Sequence, residues 1–313
     1  LRGRFEVWCP VGASCKERDV RLKSVWSIKR NFKMIIDFHT HIFPEGVKEN
    51  REEYIKMDPA FQLLYSDKKA RIIGAEELVA SMDRARIDKS VIFGFPWLDQ
   101  KLCVKTNDYL LSCMEKYPGR LIGFVSVSPL VPEGTVSEVE RCVASGMKGI
   151  GEFAIYAKRS SSKETERIKE IMDVAKRLNV VLLVHINEPI GHRYPGKVDM
   201  TLKWVYDLIL TCQGIDLILA HLGGGFLFYE LMPEIKRVTA RVYYDTAACP
   251  FLYSPKIYSV VASIVGAEKI IFGSDHPLID QTRYIKDIEN SGFSREDIQK
   301  ILGENAKKLL KLS

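Results

Sequence analysis

The chain contains six histidines, and four of them fall at or near the ends of short apolar runs: His39 and His41 after the first, His185 on the fifth and His221 on the sixth. Glu152 ends the fourth such run, and Asp275 ends the eighth. Residues two apart on a strand project to one side, so the spacing of His39 and His41 aims two imidazoles at a common point; on a helix they would diverge. Imidazole nitrogen and carboxylate oxygen together suit Zn²⁺, and also Fe²⁺, Mn²⁺ or Co²⁺. A lone histidine at a strand end is ordinarily a hydrogen-bonded structural residue. Six metal-competent side chains at the same end of five strands would be costly to bury without mutual partners or a cation. The joint pattern therefore points to metal-dependent chemistry.

For these residues to meet, their strands must be parallel neighbours sharing one end. Eight apolar runs follow Met34, at 34–38, 90–95, 121–127, 148–153, 180–186, 216–221, 242–246 and 269–273, and amphipathic helical stretches separate them. Strict alternation implies parallel pairing, because a parallel neighbour needs a long crossover. Eight such units fit a closed (β/α)₈ TIM barrel, of the α/β class, better than an open doubly wound sheet. No GxGxxG follows the first run, which counts against a dinucleotide fold. In a barrel the C-terminal strand ends form one rim, where active sites are built. The stretch 42–74 is long for a connection and leaves that rim, so it reads as an active-site lid. Residues 294–312 read as two terminal helices covering an end or flank.

With 313 residues, 46% hydrophobic and 27% charged, the chain has a globular composition and is neither disordered nor a disulfide scaffold. Its longest apolar runs are far short of the roughly 18 residues that span a bilayer, which argues against a membrane partner. The net charge of +6 invites a nucleic-acid reading, but its location removes it: residues 1–33 hold nine basic and three acidic residues, so the body is neutral. Met34 reads as a natural start, with 1–33 a basic extension outside the chemistry and 34–313 the catalytic domain. Seven scattered cysteines with no CxxC, Cys9 and Cys15 among them, fit unpaired thiols in a reducing cytoplasm.

Two groups stand over the rim as candidate substrate contacts. The loop NEPIGHRYPGK (187–197) concentrates His192, Arg193, Tyr194 and Lys197. Arginine offers a bidentate fork to a carboxylate or phosphate, while the alternative is a solvated polar loop. Trp97, Phe226 and Phe228 either wall an apolar pocket or belong to the core. Gly223, Gly224 and Gly225 either let backbone approach a ligand or make a sharp turn. His276 points away from Asp275 and reads as packing or as a hydrogen-bonding partner behind the site. Asp37 points inward, where an ion pair with a residue such as Lys148 is the expected role.

The motifs MIIDFHTH (34–41), GIGEF (149–153), LLVHI (182–186), LAHLGGG (219–225), FGSDHP (272–277) and GENAKKLLKL (303–312) resemble, in order and over nearly all of 34–312, the amidohydrolase superfamily. The resemblance is to its amidohydrolase-2 branch, which includes aminocarboxymuconate semialdehyde decarboxylase. It implies a divalent metal, Zn²⁺ foremost and one ion rather than two, held by His39, His41, His185 and Asp275, with His221 as catalytic acid/base. Asp275 also has the role of taking a proton from metal-activated water in the superfamily's hydrolases. Glu152 is either a second-metal bridge or a partner orienting a ligand imidazole. The branch contains two chemistries. Hydrolysis of an amide, ester or lactone of a small anionic molecule is the leading expectation, because no arginine stands out as an anchor for a departing carboxylate; alternative: non-oxidative decarboxylation of an unsaturated or aromatic acid. A barrel that binds without turnover would have a damaged constellation, and here every expected ligand is present. The resemblance also leaves room for a homodimer through the barrel's outer helices.

Overall fold

Eight strands pair in sequence order, every one parallel to its neighbours: β1 Ile36–His41, β2 Lys89–Phe93, β3 Leu121–Val125, β4 Gly149–Phe153, β5 Val181–Val184, β6 Leu217–Leu219, β7 Val242–Asp245 and β8 Ile270–Ile271. The sheet returns on itself. Phe38 N–H donates to Phe272 O at 2.8 Å, Asp275 N–H to His39 O at 2.9 Å and His41 N–H to His276 O at 2.8 Å, joining β1 to the chain that follows β8. The fold is the (β/α)₈ TIM barrel that the alternation predicts. This computed structural model describes residues 32–131, 133–155 and 162–312, so the basic segment 1–31 with Cys9 and Cys15 lies outside the described residues. Residues 34–313 make one compact unit.

Buried Ile36, Phe38, Val91, Phe93, Ile122, Phe124, Leu183 and Ile218 fill the barrel, with Phe38 and Phe124 edge to face at 5.4 Å. Ala306, Leu309 and Leu310 join this cluster from the terminal helix Asn305–Leu309, so the C-terminal segment plugs one end. Gly303 is needed there, because a Cβ would strike the Met34 carbonyl.

Three connections have features of their own. The helix after β2, Gln100–Lys116, starts where Asp99 caps it by accepting from Leu102 N–H at 3.0 Å. After β6 an irregular 3₁₀ segment, His221–Leu231, precedes the short helix Pro233–Val238. The stretch 42–74 contains three short helices, Glu45–Glu49, Arg51–Met57 and Pro59–Tyr65. Phe43, Val47, Tyr54 and Phe61 from this stretch pack with Phe95 and Trp97 beyond β2 into a second apolar cluster. Asp58 locks it, accepting from Ala60 N–H at 2.8 Å, Phe61 N–H at 3.0 Å and Leu98 N–H at 2.8 Å. It is a packed helical cap on the strand ends rather than a loose loop. Among the described residues no helix is long and apolar enough to cross a membrane, and Cys103, Cys113, Cys142, Cys212 and Cys249 are buried free thiols.

Candidate functional site

The barrel brings all six metal-competent side chains together. Asp275 Oδ1 lies 3.3 Å from His41 Nε2 and 3.7 Å from His39 Nε2. Glu152 Oε1 lies 3.0 Å from His185 Nδ1, 3.5 Å from His221 Nε2 and 3.7 Å from His39 Nε2, while Oε2 is 3.9 Å from His41 Nε2. Two ligands each about 2.1 Å from a common ion are roughly 3.0–3.4 Å apart at ordinary coordination angles. The observed separations are close to that spacing. Among the described residues, His39 Nε2 is buried without a hydrogen bond, and both His39–His41–Asp275 and Glu152–His185–His221 are compact enough to hold an ion. The residues fit a divalent cation.

Electrostatics give the same answer. Burial works to discharge the His39 imidazole, but Asp245, Glu152 and Asp275 outweigh it and raise its pKa to about 9. Burial likewise opposes a charged His221, and the Glu152 hydrogen bond with the charges of Asp275, Glu152 and Asp245 lifts it to about 10. Against burial, which favours the neutral acids, His185 and His39 hold Glu152 well below the carboxylate range, and His41, His39 and His221 hold Asp275 at about 2. The cluster demands positive charge. Protons on histidine supply it in the metal-free chain, and a bound cation would replace them.

The local backbone is shaped for this purpose. Asp275 (φ 59) and His221 (φ 56) both adopt the left-handed conformation, uncommon outside glycine and found at functional sites. At His221 it begins a run through Leu222 (φ 54), Gly223 (φ 62), Gly224 (φ 57) and Gly225 (φ 88). This run is the sharp turn, and Gly224 lies against the Asn187 carbonyl of the loop after β5, where a Cβ would collide. Gly225→Ala should cost about 1 kcal/mol from its positive φ alone. Gly224→Ala should cost a further 1–3 kcal/mol by overpacking. Urea denaturation of the two variants compares them, and equal losses would remove the close approach as a cause.

The amidohydrolase-2 family profile matches residues 36–312. The chain belongs to the amidohydrolase family. Solved structures with the same barrel include 5-carboxyvanillate decarboxylase from Sphingomonas paucimobilis, at 14% identity and TM-score 0.70, covering 90% of this chain and 99% of that one. A second is 5-carboxyvanillate decarboxylase from Novosphingobium aromaticivorans complexed with manganese and 4-hydroxy-3-methoxy-5-nitrobenzoic acid, at 17% identity and TM-score 0.70, covering 89% and 96%. A third is 2,6-dihydroxybenzoate decarboxylase complexed with 2,6-dihydroxybenzoate, at 15% identity and TM-score 0.66, covering 89% and 99%.

In this amidohydrolase the remaining candidates are dispersed. Arg193 is 86% exposed and faces Asp199 at 3.9 Å, and His192 is exposed beside it. Tyr194 turns inward, donating its hydroxyl to Glu188 Oε2 at 2.8 Å. Trp97 is buried in the cluster beneath the cap, its indole N–H donating to Thr106 Oγ1 at 2.9 Å. Phe226 is buried, while Phe228 is largely exposed. His276 is buried, its Nδ1 3.3 Å from Ile279 O, and burial lowers its pKa to about 4. The expected ion pair of Asp37 with Lys148 is absent: Lys148 is exposed, whereas Asp37 accepts from Ser274 Oγ at 2.5 Å and Gln281 Nε2 at 2.7 Å. Neutral donors leave burial dominant, and the Asp37 pKa rises to about 6. Two residues escaped the sequence reading. Asp245 at the end of β7 bonds His39 Nδ1 at 2.7 Å. Tyr65 of the cap has its phenol pKa pushed up by burial and then by Asp275 and Glu152, so the cap reaches the field of the site.

Proposed function

We propose that this amidohydrolase is a metal-dependent carboxy-lyase that removes carbon dioxide, without oxidation, from an aromatic or unsaturated carboxylic acid. The observation that carries the reading is the company of the fold. Decarboxylases of 5-carboxyvanillate and 2,6-dihydroxybenzoate share it over nearly their whole length, and one of them holds manganese. Hydrolysis draws on the same residues and has no comparable support. All of the chemistry falls to residues 34–313, and the buried free thiols suit the cytoplasm.

In this reading His39, His41, His185 and Asp275 would hold one divalent ion, with Mn²⁺ and Zn²⁺ the first to test, and Glu152 would orient His185. When bound, the ion supplies a Lewis acid that holds a substrate oxygen and draws charge from it. The bond to the carboxyl carbon breaks, its electron pair stays on the substrate carbon, and a proton must fill that place. His221 is built to deliver it. Its Nδ1 lies 3.0 Å from the Ala247 carbonyl, which can only accept, so Nδ1 carries a hydrogen and Nε2 is the nitrogen that exchanges the proton. A largely apolar pocket of about 240 Å³, lined by Pro59 and Ala60 of the cap with Pro96, Leu98, Ser128, Leu130 and Ala154, stands beyond the ends of β2, β3 and β4, and none of the six metal-competent residues lines it.

The test is a panel of hydroxybenzoates, including 2,6-dihydroxybenzoate and 5-carboxyvanillate, beside esters, amides and lactones, offered to Mn²⁺-loaded and chelated protein. The expected result is carbon dioxide from at least one acid, one deuterium at the vacated carbon in D₂O, and loss of both on chelation. Turnover of an ester, amide or lactone with no acid decarboxylated would overturn the reading in favour of hydrolysis.

A further inference from the structure

Both oxygens of Asp245 are committed. Oδ2 meets His39 Nδ1 at 2.7 Å, and Oδ1 accepts the backbone N–H of His221 at 2.8 Å and of Ala247 at 3.0 Å. His39 and Asp245 are fully buried. Gly273 packs against the pair, where a Cβ would lie 2.8 Å from His39 Cβ and 3.4 Å from Asp245 Cβ, so the absence of a side chain there lets the chain after β8 close over them. An ionised carboxylate offers no hydrogen. The shared proton therefore belongs to His39 Nδ1, and Nε2, 3.7 Å from both Asp275 and Glu152, is the nitrogen left to take either a second proton or an ion.

We propose that Asp245 is the positioning residue of this site: one carboxylate fixes the His39 tautomer able to receive a divalent ion and, through its other oxygen, anchors the left-handed turn that presents His221. The proposal rests on the reading of the site as a metal centre. It makes a sharp statement about Asp245→Asn, which changes almost no volume. The amide oxygen must stay with the His221 and Ala247 N–H groups, since turning the amide round would set donor against donor and orphan two buried N–H groups. The amide nitrogen then faces His39 Nδ1 and donates to it. That moves the imidazole hydrogen to Nε2, where it blocks the ion.

Titration of Mn²⁺ into wild type and Asp245→Asn, with free ion followed by electron paramagnetic resonance, reads the effect directly. A 10–100-fold weaker affinity in a variant that still unfolds cooperatively is expected, and equal affinity would overturn the proposal. Nitrogen-15 NMR of histidine-labelled protein adds a signature that a merely structural role would not move. Zn²⁺-loaded wild type should show His39 protonated on Nδ1, and the metal-free variant at alkaline pH should show it protonated on Nε2. A wild-type Nδ1 without a proton would sink the proposal even if the variant failed to fold. A wild type that binds neither ion would instead remove the metal centre itself, a failure distinct from a variant that binds as well as its parent.

Discussion

Replacing His221 with asparagine is expected to lower decarboxylation turnover by 10²–10⁴-fold while the chain keeps its divalent ion. The magnitude is that of losing a positioned proton donor, about 3–5 kcal/mol of barrel-held transition-state stabilisation. Asparagine is chosen because the position has φ 56, a conformation asparagine tolerates better than alanine, so the turn through Gly225 should survive. The imidazole's raised pKa follows from burial being outweighed by Glu152, Asp275 and Asp245. Asparagine has no proton to give in that field. Elemental mass spectrometry beside kcat separates the two roles open to this residue. Retained ion with lost turnover fits a proton carrier, whereas ion lost in step with turnover would make His221 a ligand, as its 3.5 Å approach to Glu152 allows.

How much of this site the sequence discloses depends on how far apart its partners lie. The strands are legible because runs such as 180–186 are apolar and β-branched, and parallel strands buried on both faces need such runs. His39 and His41 are legible because their relation is local, two residues on one strand. Asp245 ends its strand as Glu152 does, yet its role exists only through an imidazole 206 positions away, and nothing in its neighbourhood distinguishes it from an ordinary strand-end acid. Asp37 shows the reverse. Parity with His39 and His41 suggests an inward direction, but Ile36 and Phe38 on either side of it fill the barrel, β1 is irregular between Asp37 and Thr40, and its partners are Ser274 after β8 and Gln281 at the start of the helix Gln281–Glu289. The length of 42–74 marks it as unusual, while its three short helices depend on the cluster of Phe61 and Trp97 more than on local propensity. Arg193 and Tyr194 are adjacent, yet one faces solvent and the other turns inward, a choice made by Asp199 and Glu188 and not by residue type.

The metal-free protein is expected to lose stability more steeply than the metal-loaded protein as pH rises above neutrality. His39 and His221 have folded pKa values of about 9 and about 10, above the ordinary histidine value of 6.5. A raised folded pKa means the folded state binds protons more tightly than the unfolded chain. The stability it contributes is complete below pH 6.5 and is lost as pH climbs through 9 to 10. Asp275, depressed to about 2, works the other way: its contribution is present above about 3.8 and is lost as pH falls through 2. Burial has raised Asp37 to about 6, so its share fades between 3.8 and 6 and is over before the histidines begin. Below the ordinary thiol value of 9.0 the two imidazoles dominate this limb. Above it the buried thiols of Cys103, Cys113, Cys142, Cys212 and Cys249, all raised by burial, add a loss of the same sign in either form. The difference between the metal-free and metal-loaded proteins is therefore what reports the histidines, and at 1.36 kcal/mol per unit it is on the order of a few kcal/mol. A bound divalent ion holds the same carboxylates without protons and should flatten this limb. Melting temperatures of chelated and Mn²⁺-loaded protein between pH 6 and 10 should diverge steadily on the alkaline side. Parallel curves would mean that the histidines are not holding the carboxylates together in the metal-free chain.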